Sequence, residues 1–378
     1  MKRKIAYITG TRADYGLMRS VLHQIHDSRS LSLDIIVTGM HLMDEFGMTI
    51  EEIQNDGFNC HIIDVQHVND AKESVALFIG EFIQRLTPLI RIINPDIILI
   101  LGDRGEMLAG AIVGAYLSVP VAHIHGGEVT STVDDLARHA ITKLSHIHFP
   151  ATEKSAERII RMGEDPSRVF VVGAPGLDQI LHEPLLEPED LEKRYCLNFS
   201  DRVLLVVQHP VTLEVNQASE QMRETLEAVS LLQYQTVVVY PNADAGGRAM
   251  IEVIKEYEHL PYIRTYKNIP HKDYLSLMRY SSVLIGNSSS GIIEAPSFGI
   301  PTINIGSRQK GRQRGDNVVD VDYNREAIAS TINYVLNDEN YINKINLKKN
   351  PYGDGNAGKR ITTILSGISV NSQLLQKE

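Results

Sequence analysis

Two runs of five apolar residues, IILIL at 97–101 and VLLVV at 203–207, constrain the fold of this chain more than any other feature. A strand with one face in solvent alternates apolar and polar residues, but these runs contain no polar residue. We therefore expect both to be strands buried on both faces of a parallel sheet. The predicted strands include Lys4–Gly10, Leu33–Gly39, Asp96–Asp103, Pro120–Gly127, Val169–Gly173, Arg202–His209, Thr236–Asn242, Val283–Asn287 and Pro301–Gly306.

Amphipathic stretches of helix length separate these runs, and such alternation predicts a doubly wound α/β architecture. The alternation pauses at 173–200, where glycines and prolines cluster, which indicates a connection between domains. The chain has 378 residues, a length that suits two domains. We expect an α/β fold with two Rossmann-like domains facing across a cleft. The first is 1–175, with a C-terminal helix at about 360–378 crossing back to it, and the second is 200–358.

Composition excludes several classes of function. The formal net charge is −10, which disfavours general binding to nucleic acid. The two cysteines, Cys60 and Cys196, form no CxxC pattern, so a disulfide framework or a structural zinc site is not expected. No secretory leader is recognisable at MKRKIAYITG, and no apolar stretch is long enough to span a membrane. We expect a cytoplasmic protein without a membrane partner.

Several predicted strands end in polar clusters, and ligands of open α/β sheets bind beyond the carboxyl ends of the strands. The first cluster, GTRADYG at 10–16, suits a phosphate or sugar and equally suits a structural turn. GxGxxG and GxxxxGK[ST] do not occur, so dinucleotide and P-loop functions lose their main support.

The second cluster, GDRGE at 102–106, places Asp103 and Arg104 directly after the most apolar strand. A carboxylate at this position is expected to be poorly solvated, which would raise its pKa and suit it to acid–base chemistry. The alternative is that Asp103 is the N-cap of the helix that follows. Both roles are compatible with the sequence.

The third cluster is HIHGGE at 123–128, followed by DDLARH at 134–139. His123 and His125 would share one face of a strand, so a metal site completed by Glu128 or His139 is an alternative. We expect no metal, because no further metal signature follows. Asp134 and Arg138 are four residues apart on a predicted helix and share a face. They form either a surface ion pair or a carboxylate oriented by arginine.

The second domain carries its own polar strand ends. His209 and Asn242 each follow a predicted strand, and the most specific cluster is GNSSSGIIE at 286–294. Free N–H groups and the dipole at a helix start attract a diphosphate there. Glu294 could accept both ribose hydroxyls, or it could be an ordinary acid of the first turn. Basic residues between Arg308 and Arg314 could close on phosphates or be solvated.

At these residues the sequence resembles the UDP-N-acetylglucosamine 2-epimerase family, especially its hydrolysing branch in sialic and related nonulosonic acid synthesis. The likeness runs nearly end to end. It rests on TRADYG (11–16), GDR (102–104), HIHGGE with DDLARHAITKL (123–144), QHPVT (208–212), YPNADAG (240–246), GNSSSGIIE (286–294) and GSRQKGR (306–312). The resemblance implies a glycosyltransferase-B-like fold, a homodimer or homotetramer, no cofactor and no metal.

The resemblance also implies roles for individual residues. Contacts to UDP are implied for Arg12, Arg104, His209, Asn242, Ile269, Ser288, Ser289, Glu294 and Arg308. Catalytic roles are implied for Asp103, His125, Glu128, Asp134, Arg138 and His209. Relatives usually place a catalytic glutamate where this chain has His125. Either His125 takes that role, or Glu128 supplies a carboxylate from three residues further on.

The implied activity is hydrolysis of UDP-N-acetylglucosamine to UDP and N-acetylmannosamine, for sialic or related nonulosonic acid synthesis. Proton removal at C2 and anti-elimination of UDP would give a 2-acetamidoglycal, to which water adds with protonation at C2. One alternative is the same reaction on UDP-2,4-diacetamido-2,4,6-trideoxyglucose (UDP-N,N'-diacetylbacillosamine), for legionaminic acid. Others are a glycosyltransferase of the same fold and a nucleotide-sugar sensor without activity.

Overall fold

The computed structural model describes residues 2–43, 48–65, 72–129, 134–182, 184–241 and 246–377, and all of their side chains except those of residues 72, 134, 212 and 213. The chain divides into two compact units. Unit 1 is Met1–Leu181 with Tyr352–Glu378, and unit 2 is His182–Pro351. Each unit contains a six-stranded sheet in which every pairing is parallel. The predicted fold class, α/β with two Rossmann-like domains, is confirmed.

The sheet of unit 1 has the strand order β3-β2-β1-β4-β5-β6. Its strands are β1 Arg3–Thr9, β2 Leu31–Val37, β3 Asn59–Ile62, β4 Ile97–Leu101, β5 Val121–Ile124 and β6 Ile147–Phe149. Its helices are α1 Arg12–His26, α2 Ile50–Asn55, α3 Lys72–Ile93, α4 Gly105–Leu117, α5 Asp134–Leu144, α6 Glu153–Arg161 and α7 Gly176–His182. Short 3-10 turns lie at Gly39–Leu42 and Pro166–Arg168.

The sheet of unit 2 has the order β12-β11-β10-β7-β8-β9. Its strands are β7 Val203–Val207, β8 Gln235–Val239, β9 Ile263–Tyr266, β10 Val283–Gly286, β11 Thr302–Ile305 and β12 Val318–Val321. Its helices are α8 Pro188–Tyr195, α9 Ala218–Leu232, α10 Gly247–Tyr257, α11 His271–Tyr280, α12 Ser290–Ile293, α13 Ala295–Phe298, α14 Arg325–Asn337 and α15 Glu339–Ile345. A 3-10 turn lies at Thr212–Gln217.

The two apolar runs behave as their composition predicts. All five residues of β4 are buried, and they alternate between two hydrophobic clusters on opposite faces of the sheet. Leu99 belongs to one cluster and Ile100 to the other. In β7, Leu204 and Leu205 divide between two clusters of unit 2 in the same way. A strand covered on both faces has no solvent side for polar residues, which explains the unbroken apolar runs.

The segment that returns to unit 1 contains α16 Ala357–Gly367 and α17 Ser372–Leu375. It begins at Tyr352, whereas the sequence placed the domain boundary at 358. The Tyr352 side chain is 2% exposed, and its carbonyl accepts a hydrogen bond from the backbone N–H of Ala174 at 2.7 Å. The buried carboxylate of Asp178 accepts from the N–H groups of Ala357 and Gly358. These polar contacts attach Tyr352 and the first turn of α16 to unit 1.

One predicted strand is wrong, because Val169–Gly173 contributes only an isolated bridge between Val169 and His148. Four strands were not predicted: β3, β6, β9 and β12. All four lie at the edges of the two sheets. Among the residues that the structure describes, no helix is both long enough and apolar enough to cross a membrane.

Candidate active site

The switch point of the unit 1 sheet lies between β1 and β4. The chain leaves β1 toward β2 on one side, and it returns to the other side as β4, so the loops after β1 and β4 diverge and leave room above the sheet. These loops are 10–11, before α1, and 102–104, before α4. Two of the three predicted motifs of unit 1, GTRADYG and GDRGE, therefore meet at this point.

Glu106 fills the space between these loops. Its side chain is 2% exposed, and a Cβ added to Gly10 would lie 2.4 Å from its Oε1 atom. Position 10 therefore needs glycine, because any side chain would displace a buried carboxylate. Arg104 Nη2 lies 3.2 Å from Glu106 Oε1 and supplies the opposite charge. The structure places the Arg104 guanidinium on Glu106, and its predicted contact with the diphosphate remains a prediction.

Asp14 lies in the first turn of α1 and is buried. Its carboxylate accepts hydrogen bonds from the N–H groups of Gly10 and Thr11 at 3.1 and 2.9 Å and from the Thr9 hydroxyl. The Thr11 side chain caps the Asp14 N–H in return, which completes a capping box. Burial raises the pKa of Asp14 to about 6, although the hydrogen bonds from Thr9 and Gly10 oppose this.

His41 lies beside Asp14 and is fully buried. Its Nε2 atom is 2.9 Å from the Thr9 hydroxyl, and its Nδ1 atom is 2.7 Å from the Thr49 hydroxyl. Burial lowers the pKa of His41 to about 4, so the ring is neutral at physiological pH. Sequence reasoning did not identify His41, because it occurs in none of the recognised motifs.

Arg138 joins three parts of unit 1. Its guanidinium donates to the Asp103 carboxylate, to Asp135 Oδ1 at 2.6 Å and to the Glu128 carbonyl at 3.0 Å. The Arg138 side chain is only 5% exposed, so these contacts are poorly screened by solvent. The sequence predicted a pair between Arg138 and Asp134, whose side chain lies outside the described residues. Asp135, three residues from Arg138, was not predicted.

Asp103 differs from its predicted environment. The expectation was a poorly solvated carboxylate, but the side chain is 26% exposed and contacts Arg138 directly. The apolar run that precedes it is β4, which ends at Leu101, so burial of the strand does not extend to this loop. Nor is Asp103 the N-cap of α4, because Arg104 occupies that position. Asp103 is therefore an accessible carboxylate beside a buried guanidinium.

His123 and His125 do not share one face of a strand. β5 ends at Ile124, and His125 has a φ of +62°, which turns its side chain away from strand geometry. His123 is fully buried, with Nε2 2.8 Å from the Gly102 carbonyl and Nδ1 3.2 Å from the Thr142 hydroxyl. Both ring nitrogens are thus occupied. Among the described residues, no group of three His, Cys, Asp or Glu side chains is arranged to hold a metal.

His125 and Glu128 form a pair. Nδ1 of His125 lies 3.1 Å from Oε1 of Glu128, and their side chains are 15% and 7% exposed. The two atoms lie within ion-pair distance, although their alignment is not that of a hydrogen bond, and a carboxylate on this side of the ring attracts a proton to Nδ1. Within the described ranges, Nε2 has no hydrogen-bond partner and is buried. The sequence offered His125 or Glu128 as alternatives, and the structure brings them into one dyad.

Unit 2 has its switch point between β7 and β10, where Asn287 joins the two strand ends. The Asn287 amide accepts from the His209 N–H at 2.7 Å and donates to the His209 carbonyl at 2.8 Å. Gly286 makes this approach possible: its φ is +129°, and an added Cβ would lie 2.2 Å from the Val207 carbonyl oxygen. Arg308 and Gln309 donate to the Asn287 carbonyl at 3.2 and 2.8 Å.

The serine-rich loop, residues 287–294, differs from the predicted helix start. α12 is a single turn, and α13 follows it directly with Pro296 near its beginning. Glu294 lies between the two helices, as the C-cap of α12 and the N-cap of α13. One turn carries little of a helix dipole, so the dipole argument for a diphosphate is weak here. Hydroxyl groups cluster here instead: the Ser288 and Ser290 hydroxyls lie 2.8 Å apart, and Ser290 also contacts the Tyr274 hydroxyl.

The remaining predicted nucleotide residues have different surroundings. Ser289, like Ser288, is half-buried in the serine-rich loop. Ile269 is 7% exposed in a hydrophobic cluster, so only its backbone is available to a ligand. Arg12 is exposed, with Nε 3.3 Å from Glu52. Asn242 lies outside the described residues.

Known proteins resemble this chain across both units. A family model described as UDP-N-acetylglucosamine 2-epimerase matches residues 23–366. The chain is 44% identical over 379 aligned residues to the hydrolysing UDP-N,N'-diacetylbacillosamine 2-epimerase of Legionella pneumophila, covering 100% of this chain and 99% of that one. It is 36% identical to polysialic acid biosynthesis protein P7 of Escherichia coli, covering 94% and 91%.

The fold has solved counterparts. The UDP-GlcNAc 2-epimerase of Neisseria meningitidis, crystallised with UDP-GlcNAc, superposes with a TM-score of 0.82 over 96% of this chain and 99% of that chain, at 19% identity. At this identity the likeness establishes the fold alone.

Proposed function

Because this chain belongs to the UDP-N-acetylglucosamine 2-epimerase family, we propose that it is the hydrolysing 2-epimerase of a UDP-linked 2,4-diacetamido-2,4,6-trideoxy sugar, UDP-N,N'-diacetylbacillosamine. The products would be UDP and the free 2-epimeric sugar. The observation that carries this proposal is the 44% identity, over the full length, to the Legionella enzyme of that name. UDP-N-acetylglucosamine, the first expectation from sequence, becomes the second candidate.

The proposed reaction begins with proton removal from C2. The C1–O bond to UDP then breaks, and a C1–C2 double bond forms. Water adds its oxygen to C1, and C2 receives a proton on the face opposite to the one that lost it. Inversion therefore needs a proton acceptor and a proton donor that reach C2 from different sides.

Unit 1 supplies two groups for these roles. Asp103 is accessible and ionically held by Arg138, which makes it our candidate for the base. The second is the dyad, in which Glu128 stabilises a His125 ring that has taken up a proton at Nε2, and Nε2 donates this proton to C2. Arg138 contacts both parts, through the Asp103 carboxylate and the Glu128 carbonyl. We assign UDP binding to the serine-rich loop, His209 and Arg308 of unit 2.

A substrate panel tests the proposed function. UDP-N,N'-diacetylbacillosamine, its GDP counterpart and UDP-N-acetylglucosamine would each be incubated with the enzyme without any acceptor, and the products identified by NMR. We expect the fastest UDP release from the first, with one deuterium at C2 of the sugar when the reaction runs in heavy water. Faster turnover of UDP-N-acetylglucosamine would reverse our order of candidates. Absence of hydrolysis without an acceptor would favour a glycosyltransferase.

The dyad has a separate test. In His125→Gln, elimination driven by Asp103 should continue while protonation at C2 is impaired, so UDP and the glycal should appear in excess of the epimeric sugar. His139→Gln, in helix α5, is the control and should leave the product ratio unchanged. Normal product from His125→Gln would remove His125 from the mechanism.

A further inference from the structure

Helix α5 is tied to the loop of Asp103 at two points. Near its start, Arg138 donates to the Asp103 carboxylate. Near its end, Thr142 contacts His123, whose other ring nitrogen bonds to the carbonyl of Gly102. Burial lowers the pKa of His123 to about 3, so the ring is neutral. Because a carbonyl can only accept, Nε2 carries the proton and Nδ1 accepts from the Thr142 hydroxyl.

The carboxyl end of α5 is held by Lys377, which is 232 to 235 residues away in sequence. Its Nζ donates to the carbonyls of Lys143 and Ser145 at 2.7 and 2.6 Å and lies 3.5 Å from that of Thr142. The last carbonyls of a helix have no partner within the helix, and a cation there is favoured by the dipole. A lysine distant in sequence thus caps this helix.

Lys377 is fixed on its other side by Glu164. The Glu164 side chain is 1% exposed and lies 2.6 Å from Lys377, 2.7 Å from Lys143 and 3.0 Å from His148. Burial opposes ionisation of Glu164, but the hydrogen bonds from these three groups outweigh it and lower its pKa to about 2. The carboxylate is therefore charged at any physiological pH, and it keeps the Lys377 ammonium directed at α5.

The backbone around Lys377 is anchored as well. The guanidinium of Arg168 donates to the carbonyls of Gln373, Leu374 and Gln376, each at 2.9 Å. The Leu374 side chain is 6% exposed and packs in the hydrophobic core of unit 1. The segment 371–377 is therefore docked through both polar and apolar contacts, and Lys377 has a defined position.

We propose that Lys377 is a positioning residue for the reaction: by capping the carboxyl end of α5, it keeps Arg138 and His123 where they hold the loop of Asp103. This rests on the proposed function, because it takes Asp103 to be the base. Displacement of a catalytic group by as little as about 1 Å can cost a large factor in rate, so a distant cap can matter for turnover.

The test compares Lys377→Met, which keeps the length of the side chain but loses its donors, with Lys377→Arg, which keeps donors and charge. Lys359→Met, at an exposed position of α16, is the matched control. With any sugar of the panel that the enzyme hydrolyses, Lys377→Met should lower kcat about three- to tenfold with KM changed less than about twofold. Lys377→Arg should recover most of the loss, and the control should have normal kcat.

To separate a purely structural role, the substitution is repeated in an Arg138→Met background. There the ionic link to Asp103 is lost and only the tie through His123 remains, so Lys377→Met should lower kcat by a smaller factor than in the wild type, while its effect on the unfolding midpoint persists. Equal losses of kcat in both backgrounds would overturn the proposal, as would normal kcat of Lys377→Met. If Lys377→Met does not fold, Lys377→Gln, which keeps two donors, is measured in the same way.

Hydrogen exchange makes the result independent of the substrate. In Lys377→Met, the amides of α5 should exchange faster than in the wild type, and in Lys359→Met they should not. Unchanged exchange in α5 would contradict the proposal even if the enzyme is active. If no sugar in the panel is hydrolysed but α5 exchanges faster, the proposed function fails, whereas the capping of α5 by Lys377 stands.

Discussion

Units 1 and 2 have the same sheet topology, but different kinds of side chain lie at their switch points. In both, the third strand of the unit lies at one edge and the first and fourth strands are neighbours at the centre. In unit 1 the loops beyond these central strands and the first turns of the helices that follow them carry the charged residues Asp14, Asp103, Arg104 and Glu106. In unit 2 the corresponding strand ends are joined by the neutral amide of Asn287 and followed by serine hydroxyls, and the charged groups nearby are Arg308, which donates to the Asn287 carbonyl, and Glu294.

This difference indicates how the same sheet topology can support proton transfer in one unit and nucleotide binding in the other. Charged groups held by buried partners can exchange protons and stabilise developing charge, which is what catalysis at C2 requires. Hydroxyls, amides and backbone groups can bind a nucleotide without moving protons. We therefore expect substitutions in unit 1 to change turnover and those in unit 2 to change affinity. The predictions that follow test this division, beginning with the largest effect.

Asp103→Asn should lower the rate of UDP release by at least about 10²-fold, the usual contribution of a general base. UDP affinity, measured by calorimetry, should stay within about twofold of the wild type. Asp135→Asn is the control, because Asp135 also contacts Arg138, at 2.6 Å, but is not assigned a proton-transfer role. Near-normal turnover of Asp103→Asn would move the role of base to Glu128 or Asp134, and a large loss of UDP affinity would contradict the division between units.

Glu294→Ala should weaken UDP binding by about 1.5–3 kcal/mol, the range for a lost hydrogen bond to a charged group. The control is Glu189→Ala, at an exposed position of α8 in the same unit, for which UDP affinity should be unchanged. Calorimetry with UDP alone measures both variants. Unchanged affinity of Glu294→Ala would remove the serine-rich loop from the proposed nucleotide site.

The sequence predicted the centre of each sheet better than its edges. β4 and β7 are covered on both faces, so composition alone identified them. The edge strands β3, β9 and β12 are partly exposed and mix polar with apolar residues, and β6 has only three residues. Such strands owe their conformation to pairing with a neighbour, which a local pattern does not contain.

In the candidate site, the sequence predicted which loops take part but not how their side chains pair. Spacing suggested that His123 and His125 share a face, but the positive φ of His125 separates them. Spacing also suggested Asp134 as the partner of Arg138, whereas contacts with Asp103 and the Glu128 carbonyl depend on the packing of α5 against the sheet. His41 reaches the site from a loop with no motif. These contacts arise only in the folded chain.

The two units also differ in what surrounds the glycine at each switch point, Gly10 in unit 1 and Gly286 in unit 2. Gly286→Ala should destabilise the protein by about 1–3 kcal/mol, because its φ is +129° and the new Cβ would meet the Val207 backbone. In Gly10→Ala the three atoms nearest to the new Cβ all belong to the Glu106 side chain. Gly10→Ala should therefore cost less in a Glu106→Ala background than in the wild type, because the two positions are in contact and their effects are not additive. Urea unfolding followed by circular dichroism measures this, since the chain has no tryptophan.

No single side-chain change should relieve Gly286→Ala, because the obstacle is backbone. Glu294→Ala is the comparison background in unit 2, and the cost of Gly286→Ala there should equal its cost in the wild type. A Gly10→Ala cost that persists without the Glu106 side chain would show that the loop after β1 is itself strained. In that case the backbone would oppose a side chain at both glycines, and the proposed difference between them would be wrong.

The smallest effect is a pH dependence of stability that belongs to unit 1 alone. Asp14 has a folded-state pKa of about 6, above its ordinary value, so its contribution to stability is complete at low pH and is lost as pH rises through 6. His41 has a folded-state pKa of about 4, below its ordinary value, so its contribution is complete above about 6.5 and is lost as pH falls through 4. Both groups also face the charges of Glu106 and Arg104.

Over pH 4.5–6.5 the two contributions have opposite slopes and partly cancel, so single substitutions should expose them. Relative to the wild type, Asp14→Asn should gain about 1–2 kcal/mol of stability as pH rises across this window, and His41→Gln should lose a similar amount. In the Asp14→Asn/His41→Gln double variant, stability should depend on pH nearly as it does in the wild type. Urea midpoints at pH 4.5, 5.5 and 6.5 measure these differences. Glu189→Ala in unit 2 is the control, and its midpoint should differ from that of the wild type by the same amount at all three pH values. Slopes of the same sign in the two single variants would mean that Asp14 and His41 do not titrate as this buried pair requires.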